Sequence, residues 1–172
     1  MRVRDLGWND FEAWARLYYS RFDEIGTNPE LGVYLVDQKP TLGQEASVFA
    51  NVYRAILEGS AVVSVAEEDG DVVAVCSLHR KGNHVEDRHV ASLGVFVLAG
   101  YRGRGIGEAL IRHALDKCAG RFELVTLTVL ASNRRAVELY RRLGFEASGS
   151  VPRVFKRGPR YYDELVMWRS IP

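Results

Sequence analysis

The stretch "GVFVLAGYRGRGIGEALI", Gly94 to Ile111, decides the fold of this 172-residue chain. It begins with an apolar run that is typical of a central strand buried on both faces of a sheet. It ends with residues that favour a helix, and between the two lies a basic loop with glycines at positions 103, 105 and 107. This order predicts a strand, a glycine turn and a helix.

A glycine loop at the start of a helix is a place where anions bind. The first N–H groups of a helix have no partner inside it, and they carry a partial positive charge. Glycines allow a close approach to these amides, and Arg102 and Arg104 add full charges. The loop therefore favours a phosphate or diphosphate group, although a tight turn with solvent-facing arginines would explain the same residues.

The amino-acid sequence of the loop excludes two other phosphate-binding motifs. The nucleoside-triphosphate motif G-x-x-x-x-G-K-[ST] requires Lys-Ser or Lys-Thr after its last glycine, and neither follows here. The dinucleotide motif G-x-G-x-x-G requires a third glycine at the position of Glu108. The loop belongs to neither class.

Length and composition are those of an ordinary soluble domain. With 47% hydrophobic and 26% charged residues, the chain can bury its own core, and we expect a single domain over residues 1–172. A net charge of +1 gives no general reason to bind nucleic acid or a membrane. No apolar run approaches the roughly 20 residues of a membrane span, so we expect a cytoplasmic protein. Cys76 and Cys118 lack the spacing of a metal site, and no metal is expected.

The apolar pattern predicts a mixed sheet with flanking helices. Strands are predicted near residues 1–5, 61–66, 72–78, 90–98, 123–130, 145–152 and 163–168, and helices near 10–24, 42–58, from the glycine loop to 119, and 134–143. Hairpins require antiparallel neighbours, whereas the central strand-helix-strand unit is parallel. We therefore predict a three-layer α/β domain rather than an all-parallel sheet.

Two segments carry a resemblance to a known family. Arg102 to Gly107 matches [QR]-x-x-G-x-[GA], the signature of the GNAT superfamily of N-acetyltransferases. About thirty residues later "NRRAVELYRRLGF", Asn133 to Phe145, resembles the second signature of that family, N-x-x-A-x-x-[LF]-Y-x-[KR]-x-G-F. Two signatures at this separation are more specific than either alone, and the resemblance covers about Val62 to Trp168.

The resemblance implies a fold and a reaction. The fold is a mostly antiparallel central sheet whose fourth and fifth strands run parallel and splay apart, flanked by about four helices. The reaction is direct transfer of an acetyl group from acetyl-coenzyme A to a primary amine, in a ternary complex without a covalent acyl-enzyme. A catalytically inactive acyl-CoA-binding sensory module and a regulatory domain that binds anions are the alternatives. A homodimer is compatible with the family.

The resemblance also implies a set of contacts to acetyl-coenzyme A. Backbone amides of the glycine loop would bind the diphosphate, the end of the fourth strand would pair with the pantetheine arm, and the second signature would lie beside the pantetheine and the thioester. The implied contacts are Val95, Phe96, Val97, Arg102, Gly103, Arg104, Gly105, Ile106, Gly107, Glu108, Asn133, Ala136 and Tyr140.

Asn133 and Tyr140 have ordinary explanations beside the functional ones. Asn133 suits a helix N-cap, which would explain it without any ligand. Ala136 and Tyr140 lie four residues apart and share a helix face, so the small residue leaves room beside the phenol. A tyrosine is protonated at neutral pH and can donate to a leaving thiolate, although a core aromatic has the same spacing.

The base that removes a proton from the amine is not specified by either signature. Ser92 stands where many relatives place a glutamate on the central strand. Glu86 and His89, in the polar loop before that strand, are the predicted catalytic candidates. Asp23 or Glu24 is an alternative, because members of the family use the first two helices to line the acceptor site.

The C-terminal segment resembles a subgroup of the family. "VFKRGPRYYDELVMW", residues 154–168, is similar to the ending of GNAT enzymes that act on amino acids, other small amines or protein N-termini. This resemblance implies that Tyr161 and Tyr162 border the acceptor pocket and that Asp163 or Glu164 holds an ammonium group. An ordinary final strand explains most of the same pattern.

Overall fold

A computed structural model gives the fold of the protein and describes residues 1–28, 32 and 38–172. Within those residues the chain forms seven strands and four α-helices in the predicted order. The strands are β1 (Arg2–Asp5), β2 (Ala61–Glu68), β3 (Asp71–Arg80), β4 (Val90–Val97), β5 (Leu124–Leu130), β6 (Glu146–Arg157) and β7 (Arg160–Ser170). The helices are α1 (Phe11–Ile25), α2 (Leu42–Leu57), α3 (Ile106–Cys118) and α4 (Arg134–Arg142).

The strands form one sheet in the order β1-β2-β3-β4-β5-β7-β6. The pair β4 and β5 is parallel, and the other neighbouring pairs are antiparallel. The predicted mixed sheet with a parallel central pair is therefore confirmed. None of the described helices is both long and apolar enough to span a membrane.

The parallel pair separates after three residues. Val90 to Ser92 pair with Leu124 to Thr126, and no later residue of β4 pairs with β5. Beyond that point β4 continues along β3 as far as Val97, and β5 continues along β7 as far as Leu130. The two strands thus diverge at the centre of the sheet, and the edge of β4 that faces β5 is left without a strand partner.

Apolar side chains cover both faces of the sheet. One core cluster joins the sheet to α3 and α4 and includes Leu110 and Tyr140. The other joins the sheet to α1 and α2 and includes Phe49 and Phe96. We refer to these two sides of the sheet as the α3 face and the α1 face.

The side chains of β4 alternate between the two faces. Leu93 and Val95 contact the cluster on the α3 face. Phe96 belongs to the cluster on the α1 face, and by alternation Ser92 and Gly94 lie on that face too. Ser92 is exposed, so the α1 face is open beside the point where β4 and β5 diverge.

The strands of the last hairpin are longer than those predicted near residues 145–152 and 163–168. Lys156 and Arg157 extend β6, and Arg160 already begins β7. Two residues suffice for the turn because Gly158 takes a left-handed conformation, with φ at +56°. β6 is an edge strand, and irregular pairing between Val151 and Phe155 accommodates the proline of this stretch.

Candidate active site

The glycine loop presents open backbone amides at the N-terminus of α3. Gly103 and Gly105 have φ of +86° and +80°. This left-handed conformation is strained for residues that have a Cβ but not for glycine. The first hydrogen bond of the helix runs from Ala109 N to Gly105 O, so the preceding N–H groups have no partner within the helix. A Cβ on Gly105 would meet nothing within 4 Å. The predicted anion-binding geometry is present.

The free edge of β4 also offers backbone groups. Leu98 N donates to Val73 O of β3 at 3.0 Å, so the carbonyl of Val97, on the same planar peptide, points the opposite way, toward the gap. Val95 lies two residues earlier in the strand and has the same orientation. Both residues therefore direct peptide groups into the space that β5 leaves, as expected for pairing with an extended ligand.

These features open onto one cleft of about 470 Å³. The glycine loop, the end of β4, the middle of β5 and one face of α4 line it. Every predicted cofactor contact belongs to this lining except Arg104. The two signature segments, which are separated in sequence, therefore form two walls of a single cleft.

Tyr140 lies on the α4 wall of the cleft. Its side chain is 7% exposed and meets the ring of Phe145 edge-on, with the ring centroids 5.9 Å apart. Burial raises the pKa of Tyr140, so the hydroxyl is protonated at neutral pH. Among the described residues this hydroxyl has no hydrogen-bond partner. It is thus a proton donor available to a ligand.

Asn133 caps α4 and also lies in the wall of the cleft. Its Oδ1 accepts a hydrogen bond from Ala136 N at 3.2 Å, which makes it the N-cap of α4. It also lines the cleft. Ala136 lines the cleft beside Tyr140, on the same helix face.

The two loop arginines are each engaged in an ion pair with a carboxylate of another element. Arg102 binds the carboxylate of Glu24, with Nη2 2.6 Å from Oε2, and its Nε donates to Val97 O at 2.8 Å. Arg104 Nη1 lies 3.8 Å from Glu68 Oε1, and Arg104 is not part of the cleft lining. Each partner is distant in sequence, so the motif alone does not reveal the pairing.

Arg135 is the cation that the motif-based argument missed. Its Nη2 lies 2.9 Å from the point where a Cβ on Gly103 would stand, and it lines the cleft. No ion pair joins it to another described residue, whereas Arg142 lies 3.7 Å from Glu108. A signal existed in the sequence: arginine in the first turn of a helix opposes the helix dipole, and a bound anion would offset that.

The family model described as "Acetyltransferase (GNAT) family" matches residues 8–145. The chain belongs to the GNAT family. The description of the family names acetyl transfer, which is a form of acyl transfer. Acetyl-coenzyme A is the acyl donor in this reaction. The cleft, with open amides for a diphosphate and a free strand edge for an extended arm, fits such a ligand.

Relatives and solved structures agree with membership of the GNAT family. The L-amino acid N-acetyltransferase AaaT of Escherichia coli is 32% identical over 107 residues, which is 61% of this chain and 65% of that protein, slightly under two thirds of its length. An uncharacterized N-acetyltransferase of Mycobacterium tuberculosis is 31% identical over 144 residues, which cover 83% of this chain and 84% of that one. The structure of a GNAT superfamily phosphinothricin acetyltransferase from Sinorhizobium meliloti in complex with acetyl-coenzyme A has a TM-score of 0.81 and 20% identity, covering 99% of this chain and 88% of that chain, a likeness of fold.

The predicted base candidates, Glu86 and His89, lie away from the cleft. Glu86 lies in a short 3-10 turn, Val85–Asp87, and both Glu86 and His89 are exposed. Both precede β4, whose eight residues separate them from Val97 by on the order of 25 Å at the usual rise of a strand. The structure does not bring them together with Tyr140.

The α1 face carries the other polar candidates. Glu24 is held by Arg102, which lowers the pKa of Glu24 and leaves it a weak proton acceptor. Asp23 is exposed and lies 3.6 Å from Lys39. His79 of β3, which the sequence argument did not single out, pairs directly with Ser92 of β4. Burial lowers the pKa of His79, so its imidazole is neutral at pH 7.

The candidates on β7 divide between the two faces. Tyr162 is buried against Leu130 and Phe155 on the α1 face, with the rings of Phe155 and Tyr162 6.0 Å apart. By alternation Glu164, also buried, shares that face. Tyr161 is 46% exposed and Asp163 lies on the same side of the strand. Only one member of each predicted pair therefore lies on the α1 face.

Proposed function

We propose that this chain is an acetyl-CoA-dependent N-acetyltransferase that transfers the acetyl group directly to a primary amine in a ternary complex. The observation that carries the proposal is the single cleft that joins the open amides at Gly105, the free edge of β4 and the hydroxyl of Tyr140. The acceptor class comprises small amines, amino acids and protein N-termini.

The backbone of the cleft would hold the donor along its length. The N–H groups that follow Gly105 would bind the diphosphate, and the guanidinium of Arg135 would add a full positive charge beside them. The gap-facing N–H and C=O of Val95 and the N–H of Val97 would pair with the pantetheine arm as a strand would, whereas the carbonyl of Val97 already accepts from Arg102. The donor supplies an activated thioester when it is bound.

Tyr140 would donate its proton to the sulfur that leaves. A protonated phenol is needed for this role, and burial keeps the phenol in that form. The hydroxyl has no competing partner among the described residues, so it is available to the ligand.

Direct transfer is supported by the positions of the two thiols. Cys76 and Cys118 are both buried and lie outside the lining of the cleft. Burial raises the pKa of Cys76 to about 12, so its thiolate is scarce at neutral pH. Neither thiol is placed to carry an acetyl group between donor and acceptor.

The acceptor would approach from the α1 face, where Ser92 and Gly94 leave the gap uncovered on the described strands. His79, directly across from Ser92, is a neutral imidazole on that face and is a further base candidate, although it lies outside the cleft lining, as Glu86 and His89 do. An amino acid acceptor deserves the first test because AaaT, a relative, is named for that class.

The decisive experiment has two arms. Calorimetric titration with acetyl-coenzyme A should show binding, and a panel of amino acids, polyamines and N-terminal peptides should release free thiol with at least one member. Absence of binding at millimolar donor would overturn the proposal. If the protein bound the donor but released no thiol with any member of the panel, and if Tyr140→Phe gave the same two results as the wild type, the inactive sensory module would be favoured instead.

A further inference from the structure

The guanidinium of Arg102 joins three separate parts of the protein. Its Nε donates to the carbonyl of Val97 at the end of β4, at 2.8 Å. Its two terminal nitrogens bind the two carboxylate oxygens of Glu24, one of them at 2.6 Å, in a fork-to-fork geometry. Its plane lies over the ring of Phe96, 5.5 Å from the centroid. One side chain therefore connects the glycine loop, the central strand and the last turn of α1.

The partners of Arg102 are themselves fixed. The side chain of Glu24 is 13% exposed, and its Oε1 also accepts from Asn28 Nδ2 at 3.2 Å. The ring of Phe96 is covered by a second guanidinium, that of Arg21, whose carbon lies 4.7 Å from the centroid. The side chain of Arg102 is 30% exposed, so water and salt compete less for this bidentate ion pair than for a fully exposed one.

The carbonyl that Arg102 binds belongs to the edge of β4 that faces the cleft. Val97 O points into the gap because the following N–H donates to β3. The contact therefore fixes the orientation of the last peptide of β4, which stands between the strand edge and the glycine loop. Rotation of this peptide would change the direction in which the chain leaves β4, and it would displace the loop amides relative to the N–H of Val97, which belongs to the preceding peptide.

We propose that Arg102 is a positioning residue: with Glu24 as its anchor, it fixes the Val97 peptide and the glycine loop for the donor, and it is not itself a ligand of the diphosphate. This inference rests on the proposed function, since it concerns the binding of the same donor. It assigns Glu24, on the helix of the opposite face, to the donor site rather than to proton transfer. The positive charge beside the diphosphate is then supplied by Arg135.

The two roles of Arg102 predict opposite effects of Glu24→Gln. If Arg102 acts by position, loss of the anchoring charge loosens the Val97 peptide, and affinity for coenzyme A falls. If Arg102 were a diphosphate ligand, the same substitution would free its guanidinium and remove a nearby negative charge, and affinity would stay the same or rise. The direction of the change therefore separates the two roles.

The test measures the dissociation constant of coenzyme A by calorimetry for the wild type, E24Q, R102Q and the double variant E24Q/R102Q. We expect each single variant to weaken binding about five- to tenfold and the double variant to be no weaker than R102Q alone, because both changes remove one unit. R16Q is the matched control, since Arg16 of α1 pairs with Asp71 outside the cleft lining, and its affinity should match the wild type.

A second measurement follows the affinity of each variant as the salt concentration rises. A diphosphate ligand contributes a charge contact that salt screens, whereas a positioning residue does not. R102Q should therefore keep the salt dependence of the wild type. Unchanged or tighter binding by E24Q, or a flattened salt dependence in R102Q, would overturn the positioning role, and thermal denaturation of every variant verifies folding. Failure of the wild type to bind coenzyme A would instead contradict the proposed function.

Discussion

Arg135 Nη2 lies 2.9 Å from the position that a Cβ on Gly103 would occupy, so the guanidinium of α4 rests on the glycine loop that precedes α3. The closeness depends on the absence of a side chain at residue 103. The two signature segments are thus in contact at the place where a diphosphate would bind. Arg135 would supply the positive charge there, and the glycine loop would supply the backbone amides.

Arg135→Gln should weaken the binding of coenzyme A about tenfold, because it removes a hydrogen bond from a charged donor to a charged acceptor. The matched control is Arg134→Gln, which removes the same charge from the same turn of α4 but from a side chain outside the cleft lining. Calorimetric titration measures both. Equal losses in the two variants would show that the general charge of the helix end matters rather than the position of Arg135.

Gly103→Ala should lower both stability and donor affinity. A left-handed φ of +86° costs a residue with a side chain about 1 kcal/mol, and the new methyl group would displace the Arg135 guanidinium. Gly105→Ala carries the same backbone cost, with φ of +80°, but its Cβ would meet nothing within 4 Å. Urea denaturation should therefore show similar losses of stability for the two variants.

Gly43→Ala is the control for that comparison. Gly43 lies within α2, at ordinary φ and with open space around it, so alanine should leave stability unchanged or slightly raised. If alanine at 103 and 105 were tolerated as well as at 43, the left-handed geometry would not be a requirement of the loop.

Tyr140→Phe should lower kcat about 100-fold once an acceptor is known, while the dissociation constant of coenzyme A stays within a factor of two. The ring keeps its contact with Phe145, and the lost hydroxyl has no partner among the described residues, so the melting temperature should change little. Phe145→Leu is the contrasting variant, since it disturbs packing and should lower stability. A Tyr140→Phe enzyme with wild-type turnover would exclude the hydroxyl as the proton donor.

Local motifs and periodicity predicted a large part of this molecule. The glycine loop, the N-cap at Asn133 and the order of the strands depend on residues close together in sequence, and the structure has all of them. The pairing of Arg102 with Glu24 was not predicted because 78 residues separate them and only the packing of α1 on the sheet joins them.

The register of the sheet explains why the sequence alone does not reveal the position of His79. His79 becomes a neighbour of Ser92 only through the pairing of β3 with β4, which no local pattern specifies. The local pattern therefore points to the polar loop that contains Glu86 and His89, where titratable groups are dense in sequence but lie outside the cleft lining.

The burial of His79 predicts a specific dependence of stability on pH. Its pKa in the folded protein lies below the value of about 6.5 that it has in the unfolded chain, because burial disfavours the charged ring. Below pH 6.5 the unfolded chain therefore binds more protons at this residue than the folded one, and stability falls as the pH falls through this range. Above pH 7 the residue contributes no such dependence.

His79→Gln should remove this part of the pH dependence. Urea denaturation at pH 7.5 and at pH 5.5 gives the free energy of unfolding of each variant, and the loss between the two pH values should be smaller for His79→Gln than for the wild type. Ser92→Ala is the control, since the exposed hydroxyl opposite His79 does not titrate in this range and its removal should leave the loss unchanged. An equal loss in the wild type and His79→Gln would mean that the folded protein accepts the charged ring at no cost, and it would contradict the lowered pKa of His79.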